Sequence, residues 1–151
     1  EDDENVRCVG SIYQKNKLNA LFENSYVYLH GHEVGGTNPS LLNAMHMSAA
    51  PVPMDVIFHR QVMTDEGVFF SKQENHLASV IQELDSNPDR VTALRTLAKT
   101  RSDSLYRWDA VVDGYVKMAQ LVLQNYKNKA ALHDSLAHEV YQPLKFFNKE
   151  K

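Results

Sequence analysis

Residues 26–45 read YVYLHGHEVGGTNPSLLNAM. The opening YVYL, 26–29, has the aromatic and branched composition of a short strand. HGHEVGGT, 30–37, is a loop whose glycines give the backbone conformations closed to other residues. Asn38-Pro39 then opens a helix: asparagine is a favoured N-cap, and proline at the first helical position forfeits no hydrogen bond. That helix is expected to run to about residue 47 and to bury Leu41, Leu42 and Met45.

The same alternation extends outward. Upstream, VRCVG at 6–10 reads as a first strand that would bury Cys8, and 14–24 as a helix with Leu18, Leu21 and Phe22 at helical spacing. Downstream, PVPMDV at 51–56 contains a third short strand, expected near 52–55 despite its two prolines, followed by a loop or helical turn at 57–62. A fourth strand at 68–70 follows Gly67. The rest reads as helix. Leu77, Val80, Ile81 and Leu84 form one stripe, and Asn87-Pro88 caps the next, which carries Val91, Leu94, Leu97 and Ala98. Residues 108–126 form a longer amphipathic helix with Val111, Val112, Tyr115, Val116, Met118 and Val122 near one face, and Trp108 as a core anchor. A further helix is expected at 130–141 and a frayed charged tail at 148–151. Strand–helix–strand crossovers of this length require parallel pairing, hence an α/β sheet of about four strands followed by a helical C-terminal segment.

Composition narrows the function classes. The 151 residues carry 16 Lys and Arg against 19 Asp and Glu, a net charge of −3, which gives no global electrostatic case for nucleic acid. Cys8 is the single cysteine, so no intrachain disulfide forms and a reducing cytoplasm is expected. No apolar run approaches a transmembrane helix. The acidic start, without an initiator methionine, is read as a processed product or a piece of a longer chain.

In parallel α/β sheets ligands bind beyond the carboxyl ends of the strands, and the 30–37 loop lies at such an end. The first turn after Pro39 offers the N–H groups of Ser40, Leu41 and Leu42 together with the positive end of the helix dipole, a fitting host for phosphate or diphosphate. Gly35-Gly36 permits close backbone approach, and Thr37 adds a hydroxyl. An ordinary glycine-bearing connection with a good N-cap would share these features, so anion binding and simple connection stand level on this reading.

Residues 5–13 (NVRCVGSIY), 26–45, 51–62 (PVPMDVIFHRQV), 67–70 (GVFF) and 107–118 (RWDAVVDGYVKM) together resemble the C-terminal part of a family-four retaining glycosyltransferase of the two-domain GT-B type. The string HGHEVGGTNPSLL is similar to the branch that includes bacterial rhamnosyltransferases of polysaccharide assembly. The resemblance covers residues 5 to about 124. It implies a partial Rossmann-like lobe over 1–126, which binds a nucleotide-sugar donor of hexose or deoxyhexose type, with a helical extension over 127–151. The family's Glu–any seven–Glu motif spans this loop and helix. Glu33 takes the place of the first glutamate, the catalytic position that meets the donor sugar. His32, Gly35, Gly36, Thr37, Asn38, Ser40 and Leu41 fall where donor contacts are made. The second, ribose-binding glutamate falls on Asn43, ten positions after Glu33 instead of eight, and Gln61 stands where the family often has glutamate. An asparagine still bonds hydroxyls but is not a charged acceptor. No metal or other cofactor is implied, the nucleotide sugar being substrate.

The resemblance also implies an acceptor-binding N-terminal lobe as partner and a leaving-group Arg/Lys pair early in the second lobe. Neither is expected within residues 1–7, so the isolated chain is expected to bind donor without transferring sugar. Cytoplasmic residence, with membrane association only through a lipid-linked acceptor, follows by the same resemblance. A sheet that starts midway exposes an edge and invites self-association. The alternative is a non-catalytic α/β module that binds a nucleotide or a partner. His30 and His32 would share a face of extended chain, but no third ligand of recognisable spacing completes a metal site. His59-Arg60 could bring positive charge to a diphosphate. Ser40 lacks the Gly-x-Ser-x-Gly elbow of a hydrolase. The lysines of 117–129 scatter along a helix face as solvated charge.

Overall fold

The structure is a computed structural model and describes residues 3–125. Its elements are α1 (Lys15–Asn24), β1 (Tyr28–His30), α2 (Pro39–His46), β2 (Pro51–Pro53), α3 (Ile57–Met63), α4 (His76–Asp85), α5 (Pro88–Leu105) and α6 (Trp108–Asn125). The chain divides into two compact units, residues 1–102 and 103–151. The expected boundary at 126/127, the helix at 130–141 and the tail at 148–151 lie outside the described residues.

The first unit is α/β with parallel pairing, as the crossover pattern predicts. β1 and β2 run parallel, with Tyr28 opposite Pro51, Leu29 opposite Val52 and His30 opposite Pro53. Tyr28 N–H donates to Ala50 O at 2.8 Å and Met54 N–H to His30 O at 2.9 Å, which close the ladder at its two ends. Successive N–H groups of a strand point to alternate sides. The side that Met54 turns to β1 is shared by Val52, and the two prolines take the alternate positions, so β1–β2 pairing loses nothing to them.

The prolines do limit the sheet on its other side. Phe70 bridges to Met54: its N–H donates to Pro53 O at 3.1 Å, and Asp55 N–H donates to Phe70 O at 2.7 Å. The preceding rung would need an N–H at position 53, which proline does not have. The expected strand at 68–70 therefore contracts to one bridge. The strand expected at 6–10 is also absent. Val6, Cys8 and Val9 are exposed, and this stretch has no strand partner among the described residues. The four-strand sheet is corrected to two strands plus a bridge.

The core follows the apolar spacing. Ala50, Val52 and Phe70 meet Val80 and Leu84 of α4 and Val91 and Leu94 of α5, with Val27, Met54, Val68 and Leu77 packed against them. A smaller cluster joins Phe22 of α1 to Ala44 and Ala49, with Leu18, Tyr28 and Met47 around it. In α2 the buried residues are Leu41, Ala44 and Met45, an i, i+3, i+4 stripe, while Leu42 is only half-buried. The 57–62 segment is helical, as α3. Gly67 turns the chain tightly after it, since a Cβ there would stand 2.9 Å from Met63 Cβ.

Within the second unit α6 forms as expected, but its apolar face is not buried. Val111, Val112, Tyr115, Val116 and Val122 are exposed, and Trp108 is 83% exposed and so no core anchor. Leu121 is the buried residue of this helix. An amphipathic face is buried only where another element receives it. Among the described residues, the second unit holds only α6 and the end of α5. No helix among the described residues is long and apolar enough to cross a membrane.

Candidate functional site at the carboxyl ends of the strands

β1 ends at His30, and residues 31–37 lead from it into α2. The loop is exposed throughout. Gly35 adopts φ of 127°, a conformation that strains any other residue. Gly36 needs no such conformation and has open space around it, so of the two glycines expected to permit close backbone approach only Gly35 is required by the backbone conformation.

Asn38 is the N-cap. Its backbone is extended and its side-chain oxygen accepts from Ser40 N–H at 2.9 Å. Leu42 N–H donates to Asn38 O at 3.1 Å. Of the three N–H groups expected to be open to an anion, the protein itself therefore takes those of Ser40 and Leu42, and that of Leu41 remains. Leu41 is fully buried as a whole residue, so neither its side chain nor its amide is open to a ligand. Thr37 and the Ser40 side chain stand exposed beside it.

Asn43, one turn further along α2, is half-buried, and its amide donates to Asn19 Oδ1 of α1 at 3.4 Å. This bond ties α2 to α1. Glu33 is half-exposed and forms an ion pair with Lys72, a residue the sequence reading did not select. Two sequence positions before Lys72, Phe70 makes its isolated bridge to Met54, the residue after β2. Ser71 N–H donates to His76 Nδ1 at 2.8 Å, which fixes the intervening backbone to the start of α4. Only the placement of Lys72 after an apolar strand-like run, at a carboxyl end, marks it in the sequence.

Beneath the loop lies a group of histidine rings. His30 is 5% exposed and His59 of α3 fully buried, with ring centroids 5.0 Å apart. The exposed His32 stacks on His30 at 5.8 Å. His30 Nδ1 shares a hydrogen bond of 3.0 Å with the Tyr28 hydroxyl, and His59 Nδ1–H donates to Met54 O at 2.8 Å. The Nε2 atoms of both buried rings have no protein partner. Desolvation, then the neighbouring His59 and His32, bring the His30 pKa down to about 4. Burial lowers that of His59 as well. Both are neutral at physiological pH. Among the described residues, no group of three His, Cys, Asp or Glu side chains could hold a metal ion.

The pairing of His59 with Arg60 as a source of positive charge is corrected by this geometry. His59 is neutral and enclosed. Arg60 forks onto Asp55 at 2.5 and 2.7 Å, reaches Asp65 at 3.3 Å and covers the Phe69 ring at 4.8 Å. The Gln61 carbonyl accepts from Arg101 at 3.2 Å.

The arrangement thus gathers His32, Glu33, Gly35, Gly36, Thr37, Asn38 and Ser40 along one loop and helix start, with Leu41 buried behind them. Lys72 joins them from a second carboxyl end, while Asn43 turns to α1. It offers the backbone of an exposed loop, one ammonium, one carboxylate and two hydroxyls, a set suited to an anionic, hydroxyl-bearing ligand. Comparison with family models, with curated proteins and with solved structures returned no match.

Proposed function

We propose that this chain is the donor-binding segment of a nucleotide-sugar-dependent glycosyltransferase, with a Rossmann-like lobe as its setting. One observation carries the reading: the HGHEVGGTNPSLL segment leaves the carboxyl end of a strand in a parallel pair and enters an asparagine-capped helix. Such a position favours diphosphate through the positive end of the helix dipole. Glu33 supplies the carboxylate for the donor sugar. The exposed Gly35, Gly36 and Thr37, with the half-buried Asn38, supply the backbone for the sugar and diphosphate.

Asn43 favours a second reading, a non-catalytic nucleotide- or partner-binding module. Its amide is spent on Asn19, and asparagine cannot give the ribose a charged acceptor. Titration with nucleoside diphosphates and their sugars, followed by backbone amide shifts, separates the two. The donor reading expects shifts concentrated in 33–41 and larger for the nucleotide sugar than for the diphosphate alone. Absence of binding at millimolar ligand overturns it and leaves the partner-binding module.

A further inference from the structure

Three arginines of the first unit are spent on the protein's own acceptors. Arg60 is held by Asp55 and Asp65, Arg95 by the carbonyls of Ser25, Tyr26 and Ser48, and Arg101 by those of Gln61 and Val62. Lys72 is placed differently. Its ammonium pairs with Glu33 of the 31–37 loop, and both side chains are open to solvent, 64% and 49% exposed. An ion pair so exposed contributes little and is readily exchanged. A diphosphate, with more charge than one carboxylate, competes for the ammonium with advantage.

We propose that Lys72 is a phosphate-binding residue of the donor site, kept in reserve on Glu33 and handed to the diphosphate when the ligand enters. The inference rests on the donor-site reading above and adds a coupling to it. Unpaired, the Glu33 carboxylate would place repulsive charge in the path of an anion, and Lys72 cancels that charge before binding. Once the ammonium moves to phosphate, the carboxylate becomes an acceptor for a sugar hydroxyl. The Ser71–His76 hydrogen bond anchors the backbone next to Lys72, so the exchange requires only side-chain rotation.

The test uses the full chain with inorganic pyrophosphate and with uridine and guanosine diphosphates, by calorimetry at several salt concentrations. Lys72→Gln is expected to weaken pyrophosphate by roughly five- to tenfold and to flatten its salt dependence. Lys72→Arg is expected to retain most of the affinity, and in the wild type the Glu33 carboxyl carbon resonance shifts as pyrophosphate saturates. Wild-type binding that Lys72→Gln leaves unchanged overturns the role of Lys72 and spares the donor site. Absence of diphosphate binding by the wild type overturns both. Far-UV circular dichroism of each variant checks that it is folded, and the carboxyl resonance reports the exchange without any substitution.

Discussion

At the amino ends of β1 and β2, Arg95 gathers the carbonyls that enter the sheet: Ser48 O at 2.9 Å, Tyr26 O at 3.1 Å and Ser25 O. Tyr26 adds a bond from its hydroxyl to Leu84 O at 2.9 Å, which pins the same end to α4. At the carboxyl ends, two buried histidine nitrogens have no protein partner, a glycine is held at positive φ, and the charges pair in solvent. One end of the sheet is completed by its own side chains. The other retains unused hydrogen-bonding capacity and exchangeable charge, the properties a binding site needs. The difference is what makes the carboxyl ends the candidate site.

The largest expected effect lies at the completed end. Arg95→Ala leaves three carbonyls without their charged donor and should cost on the order of 3 kcal/mol in urea unfolding. Arg95→Lys should recover only part of this, since one ammonium cannot reproduce the planar fork. Ligand affinity of the folded variant should be unchanged. A variant that loses affinity but keeps its stability would erase the distinction between the two ends.

Acid should act on the opposite end. Below the ordinary histidine value of 6.5 the unfolded chain takes up a proton that folded His30, with its pKa near 4, does not. The stability associated with neutral His30 is therefore intact above pH 6.5 and declines as pH falls, with the loss complete near pH 4. The upper bound is about 3 kcal/mol. His59 adds in the same direction. Chemical denaturation from pH 8 to 4 should show the decline, and His30→Gln should flatten it. A flat wild-type profile would mean that the ring is hydrated and the carboxyl end less enclosed than its geometry implies.

Much of this end was legible in sequence where the chemistry is local. Asn38-Pro39 specifies a cap and a first turn within three residues, and Asn87-Pro88 does the same, with Arg90 N–H on Asn87 Oδ1 at 3.2 Å. Parallel pairing followed from the length of the crossover. The failures are non-local. Pro53 was visible, but that its missing N–H faces the 68–70 segment depends on register. Burial of His59 and exposure of Trp108 depend on which element arrives opposite, and the Glu33–Lys72 pair joins residues far apart in the chain. Periodicity marked an apolar face on α6 but carries no information about what covers it.

Gly35→Ala comes next in size. With φ at 127° an alanine is strained by about 1–3 kcal/mol, yet no atom stands within 4 Å of its Cβ. The strain is relieved by a changed loop conformation, so the cost should fall mainly on ligand affinity and little on the melting temperature. Gly36→Ala, with neither strain nor crowding, is the control and should be nearly silent in both.

Asn38 makes the smallest and sharpest test because it serves both roles at one position. Asn38→Ala removes the acceptor from Ser40 N–H and should cost about 1 kcal/mol of stability. Asn38→Asp keeps the acceptor and adds a negative charge at the positive end of the α2 dipole, so it should match or slightly exceed the wild type in stability. The same charge repels an anion arriving at the α2 N-terminus. If the carboxyl end is an anion site, the aspartate variant is therefore as stable as the wild type but binds diphosphate more weakly, with the deficit shrinking as salt is raised. The alanine variant shows the reverse, losing stability with a smaller change in affinity. Equal diphosphate binding by the wild type and the aspartate variant would show that the helix start is only a well-made cap, and would move the binding reading away from α2.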